Sequence, residues 1–86
     1  MKKSVIRETI NKLLWDPQYK RDRNHIIEIK HRIGDREVIK RITVKDVVSV
    51  ETWCIIVKRG EEEVVIPFHR IVRIISSNGK ILWSKS

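Results

Sequence analysis

The chain has 86 residues, a formal net charge of +8, 35% charged and 41% hydrophobic residues, and a single cysteine. That size allows one small domain, expected to span residues 1–86, and Cys54 alone excludes an internal disulfide. No window approaches the ~20 apolar residues of a membrane span, and Met1-Lys2-Lys3 leads into an amphipathic stretch rather than a leader, so a cytoplasmic protein without a membrane partner is expected.

The apolar residues are 15 Ile and 10 Val against 3 Leu and no Ala. β-Branched side chains suit a pleated surface and lose rotamer freedom in helices, which points to a mainly β domain. The charge is uneven. Residues 1–45 carry 13 Lys/Arg against 6 Asp/Glu, a net +7, whereas residues 46–86 carry 6 against 5. A basic half favours an anionic partner: RNA, DNA or an acidic membrane surface, the alternative being a merely solvated surface.

In chain order, Ser4 is the predicted N-cap of a helix over about 4–15, with Ile6, Ile10, Leu13 and Leu14 on one face and Glu8 and Lys12 paired on another. Asp16 precedes Pro17 and is pushed out of the α region, so the helix ends there and Asp16-Pro17-Gln18-Tyr19 turns. A basic connector over 20–24 follows. Three hairpins are predicted, over about 25–43, 53–66 and 69–84, with turns at Gly34-Asp35, Gly60-Glu61 and Asn78-Gly79. These registers set Glu28 opposite Arg41, Arg32 opposite Glu37, Lys58 opposite Glu63, Arg59 opposite Glu62, Ile74 opposite Trp83 and Ile75 opposite Leu82. Val44–Val47 reads as a helical turn leading into a short strand at 47–51. The expected fold is α+β: one N-terminal helix packed on a bent antiparallel sheet of five or six strands, with a barrel-like form possible.

The chain has no glycine-rich phosphate loop, zinc-spaced Cys/His set or nucleophile elbow, and no cofactor or metal is expected. Cys54, within Trp53-Cys54-Ile55-Ile56-Val57, reads as a buried hydrophobe. His25 opens the first strand among polar neighbours and reads as exposed. The other two histidines each begin a His-Arg dipeptide, His31-Arg32 and His69-Arg70. Two imidazoles can serve as acid and base on a phosphodiester, and arginine can grip phosphate with two N–H groups. On a regular strand, however, neighbours face opposite ways, so His31 goes with Ile27 and Ile29 while Arg32 faces Glu37. Pro67 should turn a corner within Ile66-Pro67-Phe68-His69-Arg70-Ile71. A regular strand from His69 puts His69 and Arg73 on one face and Arg70 on the other; an irregular one lets His69 and Arg70 converge. Trp15, Trp53 and Trp83 read first as core residues. Trp15, beside Pro17 and Tyr19, is the foremost candidate among them for stacking an RNA base.

These residues also carry a resemblance. Asn11-Lys12-Leu13-Leu14-Trp15-Asp16-Pro17-Gln18-Tyr19, His31-Arg32, the Ile66–Ile71 block with Ile74, and Gly79-Lys80-Ile81-Leu82-Trp83 resemble, in the same order, a family of small archaeal proteins described as the RNA cyclic-group end recognition domain. The resemblance implies recognition of RNA ends bearing a 2′,3′-cyclic phosphate, in company with RNA-end-processing enzymes such as 2H phosphoesterases. The His-x-Thr/Ser motifs of those enzymes are absent, and Ile33 stands where the family commonly has glycine after the first His-Arg.

The expectation is therefore an RNA-binding domain in which His69, Arg70, Arg73, His31 and Arg32 contact RNA phosphate and Trp15 and Tyr19 stack bases. The alternatives are a metal-independent phosphodiesterase using His31 and His69, or a protein-interaction module. The oligomeric state is open.

Overall fold

A computed structural model describes residues 4–19 and 21–85. Helix α1 spans Val5–Trp15 and is followed by strands β1 (Ile26–Ile33), β2 (Arg36–Thr43), β3 (Val47–Val50), β4 (Cys54–Arg59), β5 (Glu62–Pro67), β6 (Ile71–Ile75) and β7 (Ile81–Ser84). Single 3₁₀ turns occupy Val44–Asp46 and Phe68–Arg70.

The helix boundaries follow from local chemistry. The Ser4 hydroxyl accepts from the Arg7 amide at 3.2 Å, and Asp16 stops the helix in extended geometry before Pro17. Ile10, Leu13 and Leu14 are buried and lie on the core formed with Ile27, Val44, Ile55, Ile71 and Ile74. Full burial of each such side chain contributes about 1.5–3 kcal/mol. The helix rests against β3, β7 and the first 3₁₀ turn. No helix among the described residues is long and apolar enough to cross a membrane.

The seven strands form two antiparallel sheets rather than one bent sheet of five or six: a four-stranded sheet ordered β2-β1-β6-β7 and a three-stranded sheet ordered β3-β4-β5. They do not close into a barrel. The reason lies at Pro67. It ends β5, an edge strand that tolerates a missing N–H, and the Phe68–Arg70 turn then carries the chain across to β1, where β6 pairs. The predicted corner is thus the crossing between sheets.

The first two hairpins have the expected registers, from Ile26 opposite Thr43 to Ile33 opposite Arg36, and from Cys54 opposite Pro67 to Arg59 opposite Glu62. Gly34 and Gly60 have φ of 60° and 63°, and no other residue in either turn has positive φ, as a two-residue II′ turn requires. The third hairpin differs. Asn78 is not in a positive-φ conformation; Gly79 is, and Ser76 donates its amide to the Lys80 carbonyl at 2.8 Å, so the loop is longer by one residue. Ile75 consequently faces Ile81 rather than Leu82, and an irregularity restores Ile74 opposite Trp83.

Burial expectations are corrected at His25, at Trp53 and at Trp15, the last 70% exposed rather than in the core. His25 is buried, not exposed: its Nε2 meets the Tyr19 carbonyl at 3.1 Å, and its Nδ1 accepts from the Ser77 amide at 3.0 Å. With Nδ1 accepting, Nε2 is the nitrogen that donates to the Tyr19 carbonyl. Trp53 is 60% exposed instead of lying in the core, and Trp83 is half-buried. Cys54 is buried as expected.

Candidate anion-binding site

The strands build a cleft by simple alternation. On β1 the inward stripe runs Ile27, Ile29, His31; on β2 it runs Ile42, Lys40; on β4 it runs Ile55, Val57, Arg59. Each stripe is apolar towards the core and reaches a cation or imidazole farther along the strand. Where the two sheets splay apart, these ends surround a cleft of about 250 Å³. Its floor is Ile29, Ile42, Val57, Val64 and Ile66. Lys40, Lys58, Arg59, Arg70 and His31 also line it.

Arg70 is placed by the crossing between sheets. Because β6 begins at Ile71, paired with Ile29, the outer part of β1 has no strand on that side. Arg70 fills the gap: Nε donates to the Lys30 carbonyl at 3.1 Å and Nη2 donates to His31 Nδ1 at 3.2 Å. Guanidinium has no acceptor, so His31 accepts and carries its proton on Nε2. Two of the five guanidinium N–H groups are thereby engaged, leaving three for a ligand in a fixed plane. Burial, followed by the charges of Lys40, Arg70 and Arg59, lowers the His31 pKa below its ordinary value.

Most of the positive charge of this cleft is unpaired. Among the described residues, ion pairs form only at Glu28, which holds Arg41, a further lining residue, whereas Lys40, Lys58, Arg59 and Arg70 form none. Lys58 does stand opposite Glu63, Arg59 opposite Glu62 and Arg32 opposite Glu37, as the registers predict, but these side chains do not meet within ion-pair distance. Asp46, the one acid lining the cleft, accepts from the Thr43 hydroxyl at 3.1 Å.

The other predicted residues divide. His69, Arg32 and Arg70 line a second depression of about 200 Å³ together with Lys30 and Glu37. Arg70 is shared by both depressions, whereas His31 and His69 are not brought to one. His69 sits in the 3₁₀ turn and is exposed, so it does not share a strand face with Arg73. Arg73 is engaged elsewhere: its Nε donates to Glu28 at 2.6 Å, while Arg41 holds the other carboxylate oxygen at 3.0 Å. Burial would raise the Glu28 pKa, but the hydrogen bonds and charges of Arg73 and Arg41 outweigh it and hold the carboxyl below its ordinary range. Trp15 and Tyr19 line neither depression. Trp15 is 70% exposed at the helix end, and Tyr19 is half-buried with its ring edge-on to His25.

Lys40, Lys58, Arg59 and the apolar floor were not singled out from sequence. A signal for two of them exists in the alternation itself, since Lys40 and Arg59 stand two positions from the core residues Ile42 and Val57.

Relatives match across nearly the whole chain. A UPF0248 protein, MmarC5_1387, of Methanococcus maripaludis strain C5 is 34% identical over 82 residues, covering 94% of this chain and 99% of that protein. UPF0248 proteins of Thermococcus gammatolerans and Thermococcus sibiricus are 34% and 32% identical over 85 residues, covering 99% of this chain and 94% and 90% of theirs. No solved structure matches. The model of the MJ1316 RNA cyclic group end recognition domain matches residues 1–85, and the chain belongs to that family.

Proposed function

We propose that this protein binds RNA ends carrying a phosphate or a 2′,3′-cyclic phosphate, and that Arg70 receives the terminal phosphate. The observation that carries this reading is the Arg70 guanidinium, pinned by the Lys30 carbonyl and His31 with three N–H groups still free, beside Lys40, Lys58 and Arg59, which form no ion pair among the described residues. A guanidinium immobilised before binding loses little entropy on gripping a phosphate. His31 adds a titratable donor on the cleft side; Arg32 and His69 add donors on the other. Arg73, held by Glu28, supports the sheet beneath, and exposed Trp15 is available to stack a base farther along the strand. In this reading the domain works beside enzymes that make or remove such ends. Hydrolysis by two histidines has no comparable support, because His31 and His69 line different depressions.

Fluorescence anisotropy with matched oligonucleotides ending in cyclic phosphate, 3′-phosphate or 3′-hydroxyl tests the proposal. The phosphate-bearing ends should bind more tightly, and Arg70→Ala should remove about 1.5–3 kcal/mol of that preference, the worth of hydrogen bonds to a charged group. Arg70→Lys should recover only part of it, since an ammonium lacks the planar fork. Equal affinity for all three ends, unchanged by Arg70→Ala, would overturn the proposal.

A further inference from the structure

The floor of the cleft is a second feature that phosphate binding alone does not use. Ile29 and Ile42 come from the four-stranded sheet, and Val57, Val64 and Ile66 from the three-stranded one, so two aliphatic walls face a shared gap. Ile42 and Val64 are only half-buried, which leaves apolar surface in water at the bottom of a basic cleft. At about 250 Å³ the space falls below the roughly 300–1,000 Å³ typical of drug-sized ligands. It is too small for a folded segment or several nucleotides.

We infer that this cleft holds the terminal nucleoside of the RNA, its base between the aliphatic walls of the two sheets, while Arg70 at the cleft edge holds the terminal phosphate. The inference rests on the phosphate reading of Arg70 and extends it to the rest of the end nucleotide. Charge complementarity selects the occupant: an apolar plane joined to an anion suits an apolar floor ringed by Lys40, Lys58, Arg59 and Arg70. A protein side chain would satisfy the floor but not the ring. Among the described residues no Phe, Tyr or Trp lines the cleft, so the base is held chiefly by aliphatic packing, and recognition should tolerate more than one base. The three rim cations from β2 and β4 are then left for the phosphate preceding the terminal nucleotide.

Two small ligands test this on the wild-type protein: adenosine 2′,3′-cyclic monophosphate and ribose 2′,3′-cyclic phosphate without a base. The nucleotide should bind about tenfold or more tightly, the gain expected when a base face leaves water. Methyl resonances of Ile42, Val57 and Val64 should shift with the nucleotide and not with the base-free ligand. Equal affinities, or methyls that do not respond to the nucleotide, would overturn the base pocket while leaving the Arg70 reading intact. Loss of discrimination between cyclic-phosphate and hydroxyl ends in a full oligonucleotide would instead overturn the phosphate reading, so the two failures are distinguishable.

Discussion

Arg73 and Arg70 lie three residues apart, yet their surroundings are opposites. Arg73 reaches a carboxylate that is almost completely buried and shares it with Arg41, across three neighbouring strands. Arg70 reaches a carbonyl and an uncharged imidazole, and Lys40, Lys58 and Arg59 near it form no ion pair among the described residues. A buried carboxylate without its partners would cost several kcal/mol, so the first arrangement belongs to the framework. Unpaired cations gathered over a cleft repel one another and gain only when an anion arrives. Charge that is answered holds the sheet; charge that is unanswered awaits a ligand.

That contrast can be broken in three ways. The largest effect is expected for Arg73→Met, which leaves Glu28 with one partner: stability should fall by about 2–4 kcal/mol in urea unfolding, with end discrimination retained. Arg41→Met should cost less, about 1 kcal/mol, because its side chain is 71% exposed. The Glu28 pKa lies lower folded than unfolded, so its contribution is present above the ordinary carboxylate value and is lost as pH falls through the folded one. If Arg73→Met instead abolished end discrimination in a fully folded protein, the division between framework and site would be wrong.

A smaller effect is expected at the rim. Lys58→Ala and Arg59→Ala should each lower the slope of log affinity against log salt by about 0.7, the value for one contact to single-stranded nucleic acid. Lys12→Ala, on the exposed side of the helix, should leave it unchanged. Equal responses from all three variants would reduce the cleft to part of a general basic surface.

The smallest effect is the pH response of His31. Its pKa is lowered on folding, so the unfolded chain takes up the proton first and stability declines as pH falls from about 6.5 towards the folded value. Protonation of Nδ1 would also remove the acceptor of the Arg70 N–H, so the preference for phosphate-bearing ends should weaken as pH falls through the same range. His31→Gln should flatten both slopes, whereas an end preference independent of pH in the wild type would show that the Arg70 grip does not depend on His31.

Much of the fold is written in short-range signals. Ser4, Asp16-Pro17, Gly34 and Gly60 mark helix and hairpin boundaries through effects that act within a few residues, and the Glu28–Arg41 pair follows from one register. What failed was non-local. His25 looks polar and free among its sequence neighbours, but Tyr19 and Ser77 enclose it, the latter from 52 residues away. Arg73 lies 45 residues from Glu28, and no turn signal links them. The Asn78-Gly79 loop misled by one residue because the same dipeptide serves turns of different length, and backbone dihedrals choose between them.

The sequence alone therefore determined the helix, the three hairpins, the corner at Pro67 and the family, because caps, turns, alternation and motif order act along the chain. Only the tertiary structure decided that Pro67 hands the chain to a second sheet and that Arg70, rather than Arg73, is left with free donors. It alone brought Lys40, Lys58 and Arg59 from two hairpins around one apolar floor. Which cations find a carboxylate depends on which strands become neighbours, and strand order is settled by packing the whole core.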